Sequence, residues 1–281
     1  MSGKKGNIIA ELRKEAGYTQ KTLAEALHIT DKAVSNWERG ISRPDSALLH
    51  RLSLLLNADL ELLLATAEHN RVWEGLIDLR QYNVDLSQRV LTQPLVYFLL
   101  SHFLLLDIRK IHVLTGKENQ NYLSEKLYRD LGFAFDFVFP AETNLIIMDA
   151  PVFLFGSDLT RIFQLSMPTD EPILFTPANH LPVMLFCPAE YTQLYLNNRE
   201  KLDKTATNRT LGRGMVCIDM TDENGILDVA NFIRIYQKNG GGLIGSLEEI
   251  SYRKGIISKD KLIEISPAGT YGDYLRAMVK E

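Results

Sequence analysis

Between residues 8 and 40, apolar side chains recur at helical intervals in three short runs, and the second and third runs are only a few residues apart. Ile8, Ile9, Leu12 and Ala16 make the first run, and Gly17 stops it. Thr19 is placed to cap a short helix whose inner face is Leu23, Ala24 and Leu27. His28-Ile29 leaves room only for a tight turn. Thr30 then caps a helix to Arg39, with Val34 and Trp37 facing inward, and Gly40 ends it. A loop at Arg43-Pro44-Asp45 leads to one helix with Leu48, Leu49, Leu52 and Leu55 and to another from Asp59 to Ala65. Five short helices, the second and third joined by a tight turn, make the architecture that lays one helix in a DNA major groove.

The stretch LRKEAGYTQKTLAEALHITDKAVSNWERGISRPD resembles the lambda-repressor-like (XRE) helix-turn-helix family. The matching residues are Thr19-Gln20, Leu23-Ala24, Ile29, Val34-Ser35, Trp37-Glu38-Arg39-Gly40 and Pro44. The resemblance implies that Asp31, Lys32, Ala33 and Asn36 face the groove, flanked by Thr30 and Ser35. Side-chain chemistry agrees, since Asn36 can pair with adenine N6 and N7 and Lys32 can reach guanine O6 and N7. Gln20 at a helix start, with Lys21 and Arg43, suits phosphate contacts. Asp31 faces a polyanion and fits a cap or a reader of cytosine N4. Arg39 suits an ion pair as well as a phosphate contact. The expected partner is double-stranded DNA.

Net charge is −4, but it is unevenly divided. Residues 1–66 carry nine Lys and Arg against eight Asp and Glu, a net of +1, and the remainder carries 22 against 27, a net of −5. A net of +1 is a weak footprint for a polyanion, so binding is expected to need two copies on two half-sites of a palindrome. Cys187 and Cys217 stand far apart with no CxxC, which argues against disulfides or zinc and fits a reducing cytoplasm. The start of the chain does not read as a signal peptide. The apolar run from Leu95 to Ile108 is too short for a bilayer and reads as a buried helix.

The pattern changes near residue 70. Val72 to Leu79, Ile111 to Leu114, Ala134 to Phe139 and Asn144 to Met148 read as strands. Pro94 to Asp107 and Glu118 to Leu131 read as helices. This alternation predicts an α/β domain over 70–281 with a mainly parallel, Rossmann-like sheet and a helical tail over 228–281, beside the all-α domain of 1–66. Gly240-Gly241-Gly242 lacks the Lys and Ser or Thr of a phosphate loop and reads as a helix stop. The six histidines show no metal spacing, and no GxSxG elbow is present.

The C-terminal third resembles the tail of glucose-1-phosphate thymidylyltransferases. The matching segments are Gly212-Arg213-Gly214, Cys217-Ile218-Asp219, Asn231-Phe232-Ile233, Leu247-Glu248-Glu249-Ile250, Arg253, Gly255 and Tyr271-Gly272-Asp273-Tyr274-Leu275. QPLVYFLLSHFLLLDIRKIHVLTG and LFGSDLTRIF extend the likeness upstream. The departures carry as much information. That family's GGxGTRLxPxT loop is WEGLIDLRQYNVDLSQ here, so the phosphate cradle is missing. Its Glu-Lys-Pro motif is missing too. Asp149 and Asp219 match its Mg²⁺ ligands, but such a site leans on substrate phosphates, so they read as vestigial acids that cap or solvate strand ends.

No cofactor or metal is therefore expected, and the second domain reads as a pseudoenzyme. The alternative is a bifunctional regulator that still transfers a nucleotide to a sugar phosphate. Fold analogy alone supports a further reading as a scaffold for polysaccharide-synthesis enzymes. The family's regulatory nucleotide site maps to Phe155, Gly156, Ser157 and Asp158 with Glu249 and Arg253, where a helix start and a guanidinium suit a nucleotide or nucleotide-sugar effector. The same residues also suit plain helix packing and an oligomer interface.

Overall fold

The computed structural model describes residues 8–38, 44, 46–58, 72–140, 142–156, 158–167, 169–177, 182–212, 214–240 and 242–279. Arg39, Gly40, Arg43, Ser157, Arg213, Gly241 and the expected helix from Asp59 to Ala65 lie outside the described residues. The chain divides into two compact units, Met1–Arg71 with Arg161–Pro168, and Val72–Thr160 with Thr169–Glu281.

In the first unit the apolar spacing yields α1 (Ile8–Glu15), α2 (Gln20–Leu27), α3 (Asp31–Glu38) and α4 (Ser46–Leu55). Gly17 ends α1 at φ +75°, a left-handed conformation that a side chain would strain. Thr19 caps α2, as the sequence predicts, and the cap is a reciprocal box with Thr22. His28 then turns left-handed, and its N–H reaches back to the Ala24 and Glu25 carbonyls. Thr30 Oγ accepts from Ala33 N–H at 3.2 Å and starts α3. Leu23, Val34 and Leu52 are fully enclosed, with Ile9, Ala24, Leu27, Trp37, Leu49 and Leu56 around them. Ala16 is exposed, because Gly17 ends the helix before its last turn reaches this core.

The second unit is built on a seven-stranded sheet of order β10-β8-β9-β6-β1-β4-β5. Its strands are β1 (Trp73–Asp78), β4 (Lys110–Leu114), β5 (Ala134–Asp136), β6 (Asn144–Met148), β8 (Ile173–Pro177), β9 (Met184–Cys187) and β10 (Thr207–Leu211). Two ribbons accompany it, β2 (Arg89–Val90) with β3 (Gln93–Pro94) and β7 (Val152–Phe155) with β11 (Val216–Asp219). The sheet is mixed and mainly parallel, since only β9 runs against its neighbours β6 and β8.

Helix α5 (Leu95–Leu105) is buried from Leu95 to Leu104, as its nearly all-apolar sequence requires, and the burial takes in Ser101 and His102. No described helix is long and apolar enough to cross a membrane. Two local expectations need correction. The segment after β4 forms two helices, α6 (Lys117–Leu123) and α7 (Lys126–Asp130), because the chain breaks at Ser124-Glu125. The break lets Tyr122 meet the fully buried Tyr128 edge-on, with ring centroids 5.6 Å apart. Strand β5 ends at Asp136 rather than Phe139, and beyond it the Val138 carbonyl bonds to His112 Nδ1 at 3.1 Å.

Helix α8 (Leu159–Ser166) follows β7, and α9 (Thr192–Asn197) with α10 (Arg199–Thr205) follow β9. The tail comprises α11 (Glu223–Lys238), α12 (Leu247–Arg253), α13 (Lys259–Ile265) and α14 (Thr270–Met278). Gly240, at φ +87°, follows α11, consistent with a helix stop. Glu248 of α12 is 2% exposed and ties three helices together. It accepts from the Tyr97 hydroxyl of α5 at 2.7 Å and from the Tyr271 hydroxyl of α14.

Burial raises the Glu248 carboxyl above its ordinary 4.5, and the two tyrosine donors offset this only in part. A folded-state value above the unfolded one makes Glu248's contribution complete below pH 4.5 and lost as pH climbs through the raised value. Glu248→Gln keeps a neutral hydrogen-bonding group in place. Its melting temperature relative to the unmodified protein is expected to improve as pH rises above 4.5, which a melting series across pH measures directly.

Candidate functional site

In the first unit, the candidate surface is the outer side of α3. Val34 and Trp37 bury its inner side, at 0% and 4% exposure. Thr30, Asp31 and Lys32 are exposed, and Ala33, Ser35 and Asn36 are half-buried. Asp31 acts locally as a cap, since its Oδ1 accepts from Lys32 N–H at 2.8 Å. Lys21 is exposed at the start of α2. The Gln20 amide instead donates to Glu38 Oε2 at 2.7 Å.

That contact belongs to a network that local sequence spacing does not reveal. Arg13 of α1 meets Glu38 of α3 through two bonds, Nε to Oε1 at 2.5 Å and a second guanidinium nitrogen to Oε2 at 3.1 Å. Its remaining nitrogen donates to the Tyr18 carbonyl at 2.7 Å. Both side chains are about nine-tenths buried, so each charge depends on the other. The network fixes the angle of α3 against α1 and α2. A signal existed in the sequence, an Arg one turn before Gly17 and a Glu beside the core Trp37, but spacing alone does not pair residues 25 positions apart. Glu38→Ala strands Arg13 and is expected to cost about 3 kcal/mol, read by denaturant unfolding, whereas Lys32→Ala leaves unfolding unchanged.

In the second unit, the chain passes from β1 through β4 and β5 on one side and then crosses to β6 on the other. The crevice at such a switch point, past the carboxyl ends of the strands, is where ligands bind in open α/β sheets. Here the parallel register Ile77↔Met148 makes Asp78 and Asp149 neighbours at the sheet's rim. They line a cleft of about 790 Å³ together with Arg80, Tyr82, Tyr195, Arg199, Asp203, Cys217 and Asp219.

The arginines of this cleft are engaged by its carboxylates. Arg80 grips Asp78 at 2.7 and 2.9 Å, and the Tyr195 hydroxyl adds a bond at 3.0 Å. Arg199 bridges Asp149 and Asp203 and lies over the Tyr195 ring. Burial raises the Asp78 carboxyl, but the bonds from Arg80 outweigh it and leave the group below its ordinary value. At Asp149 burial prevails over Arg199, and the carboxyl is raised. Burial, with Asp149 and Asp219, holds the Tyr82 phenol above its usual range. Burial and Asp219 push the Cys217 thiol up to about 11, so it stays protonated and a poor nucleophile. Asp219 is exposed and caps the turn at Thr221 N–H at 2.8 Å. Among the described residues, no group of three or more His, Cys, Asp or Glu is arranged as a metal site requires.

The residues read as an effector site have separate partners. The Phe155 ring packs on Phe232 and Tyr236 at 5.4 and 4.9 Å. A Cβ at Gly156 would collide with the Met215 sulfur, so the glycine serves close packing. Asp158 is exposed. Glu249 accepts from Arg253 at 2.7 Å and from Tyr274 at 3.0 Å. Arg253 nonetheless keeps 63% of its side chain exposed.

Comparison with known proteins distinguishes the two units. Residues 9–63 match the helix-turn-helix family HTH_3. The HTH-type transcriptional regulator ImmR of Bacillus subtilis (strain 168) is 43% identical over 63 residues, which are 22% of this chain and 50% of that protein. The match thus spans half the length of that curated relative. Among solved structures, a candidate glucose-1-phosphate thymidylyltransferase from Bacillus anthracis in complex with sucrose aligns over 58% of this chain and 96% of its own, at 9% identity and a TM-score of 0.46. A UTP-bound UGPase from Acinetobacter baumannii aligns over 66% and 98%, at 10% identity and a TM-score of 0.47.

Proposed function

We propose that this protein is a sequence-specific DNA-binding transcription regulator. The observation that carries the reading is the helix-turn-helix match over residues 9–63, including the 43% identity to a relative named as a transcriptional regulator. The geometry of α3 supports it, since the buried Val34 and Trp37 leave Lys32 facing solvent and Asn36 partly accessible. In this reading Asn36 and Lys32 read bases, Asp31, Ala33, Ser35 and Thr30 line the contact, and Lys21 and Arg43 hold phosphates, while Gln20, engaged by Glu38, positions the start of α2 beside them. A first domain of net charge +1 works as one of a pair, so two copies occupy a palindromic operator in the cytoplasm. Asn36→Ala is expected to cost about 1–3 kcal/mol at one base pair per half-site and to relax preference there. Selection from a random DNA pool gives the answer, and an unchanged motif rules Asn36 out as a base reader.

The second domain is, in the same proposal, a nucleotidyltransferase-like body that pairs the DNA readers and senses an effector without turning it over. Its support is the cleft, where Arg80 and Arg199 are occupied by Asp78, Asp149 and Asp203 rather than held open for phosphates. The effector is a nucleotide or nucleotide sugar held near Phe155 to Asp158 and at Glu249 and Arg253, whose exposed guanidinium is within reach of a phosphate. Ligand binding to the native state raises the melting temperature. Nucleotides and nucleotide sugars are expected to do so in the unmodified protein and less in Arg253→Ala. A panel with no shift removes the sensing role, and pyrophosphate release from dTTP and glucose 1-phosphate with Mg²⁺ would restore an enzymatic one.

A further inference from the structure

Helix α11 has two unlike sides. Val229 and Ile233 are buried, and Phe232 and Tyr236 pack on Phe155. The opposite side presents Leu227 and Ile235, each 57% exposed, among the exposed Asp228, Arg234 and Lys238 with Asn231 half-buried between them. At 3.6 residues per turn these six positions share one stripe of the helix surface.

The stripe is symmetrical in its chemistry. Leu227 and Ile235 lie four residues before and after Asn231, and Asp228 and Arg234 lie three before and after it. We propose that this stripe is a two-fold contact whose occupant is α11 of a second copy of this chain, running antiparallel and centred on Asn231. In that arrangement Leu227 is level with Ile235 of the second copy, about 6 Å from the centre along the axis. Asp228 is level with Arg234 of the second copy, and the symmetry supplies that ion pair twice. Asn231, whose Oδ1 accepts from Arg234 of its own helix at 3.4 Å, comes opposite itself, and an amide can both donate to and accept from its own kind. A parallel two-fold pairing would set Asp228 against Asp228 and Arg234 against Arg234, so the charges select the antiparallel one.

This inference rests on the self-pairing reading given above and names the surface that would do it. A single pair of 16-residue helices lies at the small end of specific interfaces, so a concentration-dependent monomer–dimer equilibrium is expected.

Charge exchange tests it on the full chain by sedimentation equilibrium. Asp228→Arg and Arg234→Asp each turn two attractive pairs into repulsive ones and are expected to weaken dimerisation about tenfold. The double variant, with the charges exchanged, is expected to restore it, which a folding defect would not do. Asn231→Cys is expected to give a disulfide-linked dimer on oxidation where the unmodified protein, with Cys187 buried and Cys217 half-buried, gives none. A dimeric unmodified protein, with single charge variants that dimerise equally well and an Asn231→Cys that does not link, overturns this surface and leaves the pairing reading intact. An unmodified protein that is monomeric at every concentration and protects a single half-site on DNA overturns both.

Discussion

Two neighbouring parallel strands that each deliver an aspartate to the same rim create an electrostatic problem, and much of the second unit is arranged around it. Asp78 and Asp149 are set side by side by the register of β1 and β6. Without counter-charges, at least one would be forced neutral by burial and by its neighbour. The chain supplies Arg80 from the loop after β1 and Arg199 from a helix some fifty residues beyond β6. Tyr195 joins the two halves by bonding to Asp78 and lying beneath Arg199. The helices after β9 are therefore tied to the centre of the sheet as much by charge as by the apolar cluster of Leu76, Leu145, Leu174 and Leu202.

The first unit solves a similar problem at smaller scale. An enclosed ion pair is weak evidence of stability but strong evidence of a fixed geometry, because neither charge tolerates losing the other. Arg13 and Glu38 sit at the junction of α1 and α3, and Gln20 brings in α2. The orientation of the helix proposed to read DNA is thus set from behind by polar contacts together with the buried Val34 and Trp37, and Lys32 stays exposed on its outer side.

What was legible in the sequence was what periodicity and caps encode. The four helices from Ile8 to Leu55, the cap residues Thr19 and Thr30, the buried Val34 and Trp37, the wholly buried α5 and the strands β1, β4 and β6 follow from spacing and turn chemistry. What escaped was pairing at a distance. No local pattern connects Arg13 to Glu38, Asp149 to Arg199, or Glu248 to Tyr97, which are 25, 50 and 151 residues apart. The break at Ser124-Glu125 is not visible in helical spacing because both halves carry it, and it accompanies the burial of Tyr128. The stretch from Trp73 to Gln88 lacks the glycines of a phosphate cradle, and nothing in its local pattern shows that it supplies Asp78, Arg80 and Tyr82 to the cleft.

The strand order of the sheet also bears on synthesis. β1 lies at the heart of the sheet, yet its second neighbour, β6, begins only at Asn144, and the far edge closes only with β10 at Thr207–Leu211. The helices around the proposed reading head are local, their partners lying within a few dozen residues. During translation the helices from Ile8 to Leu55 are complete long before β1 has both of its neighbours, and most of the seven-stranded sheet's pairing waits on distant chain. A nascent chain therefore carries the finished helices of the first unit ahead of a body still being assembled, and any contact that needs the closed sheet waits until Thr207–Leu211 has been made.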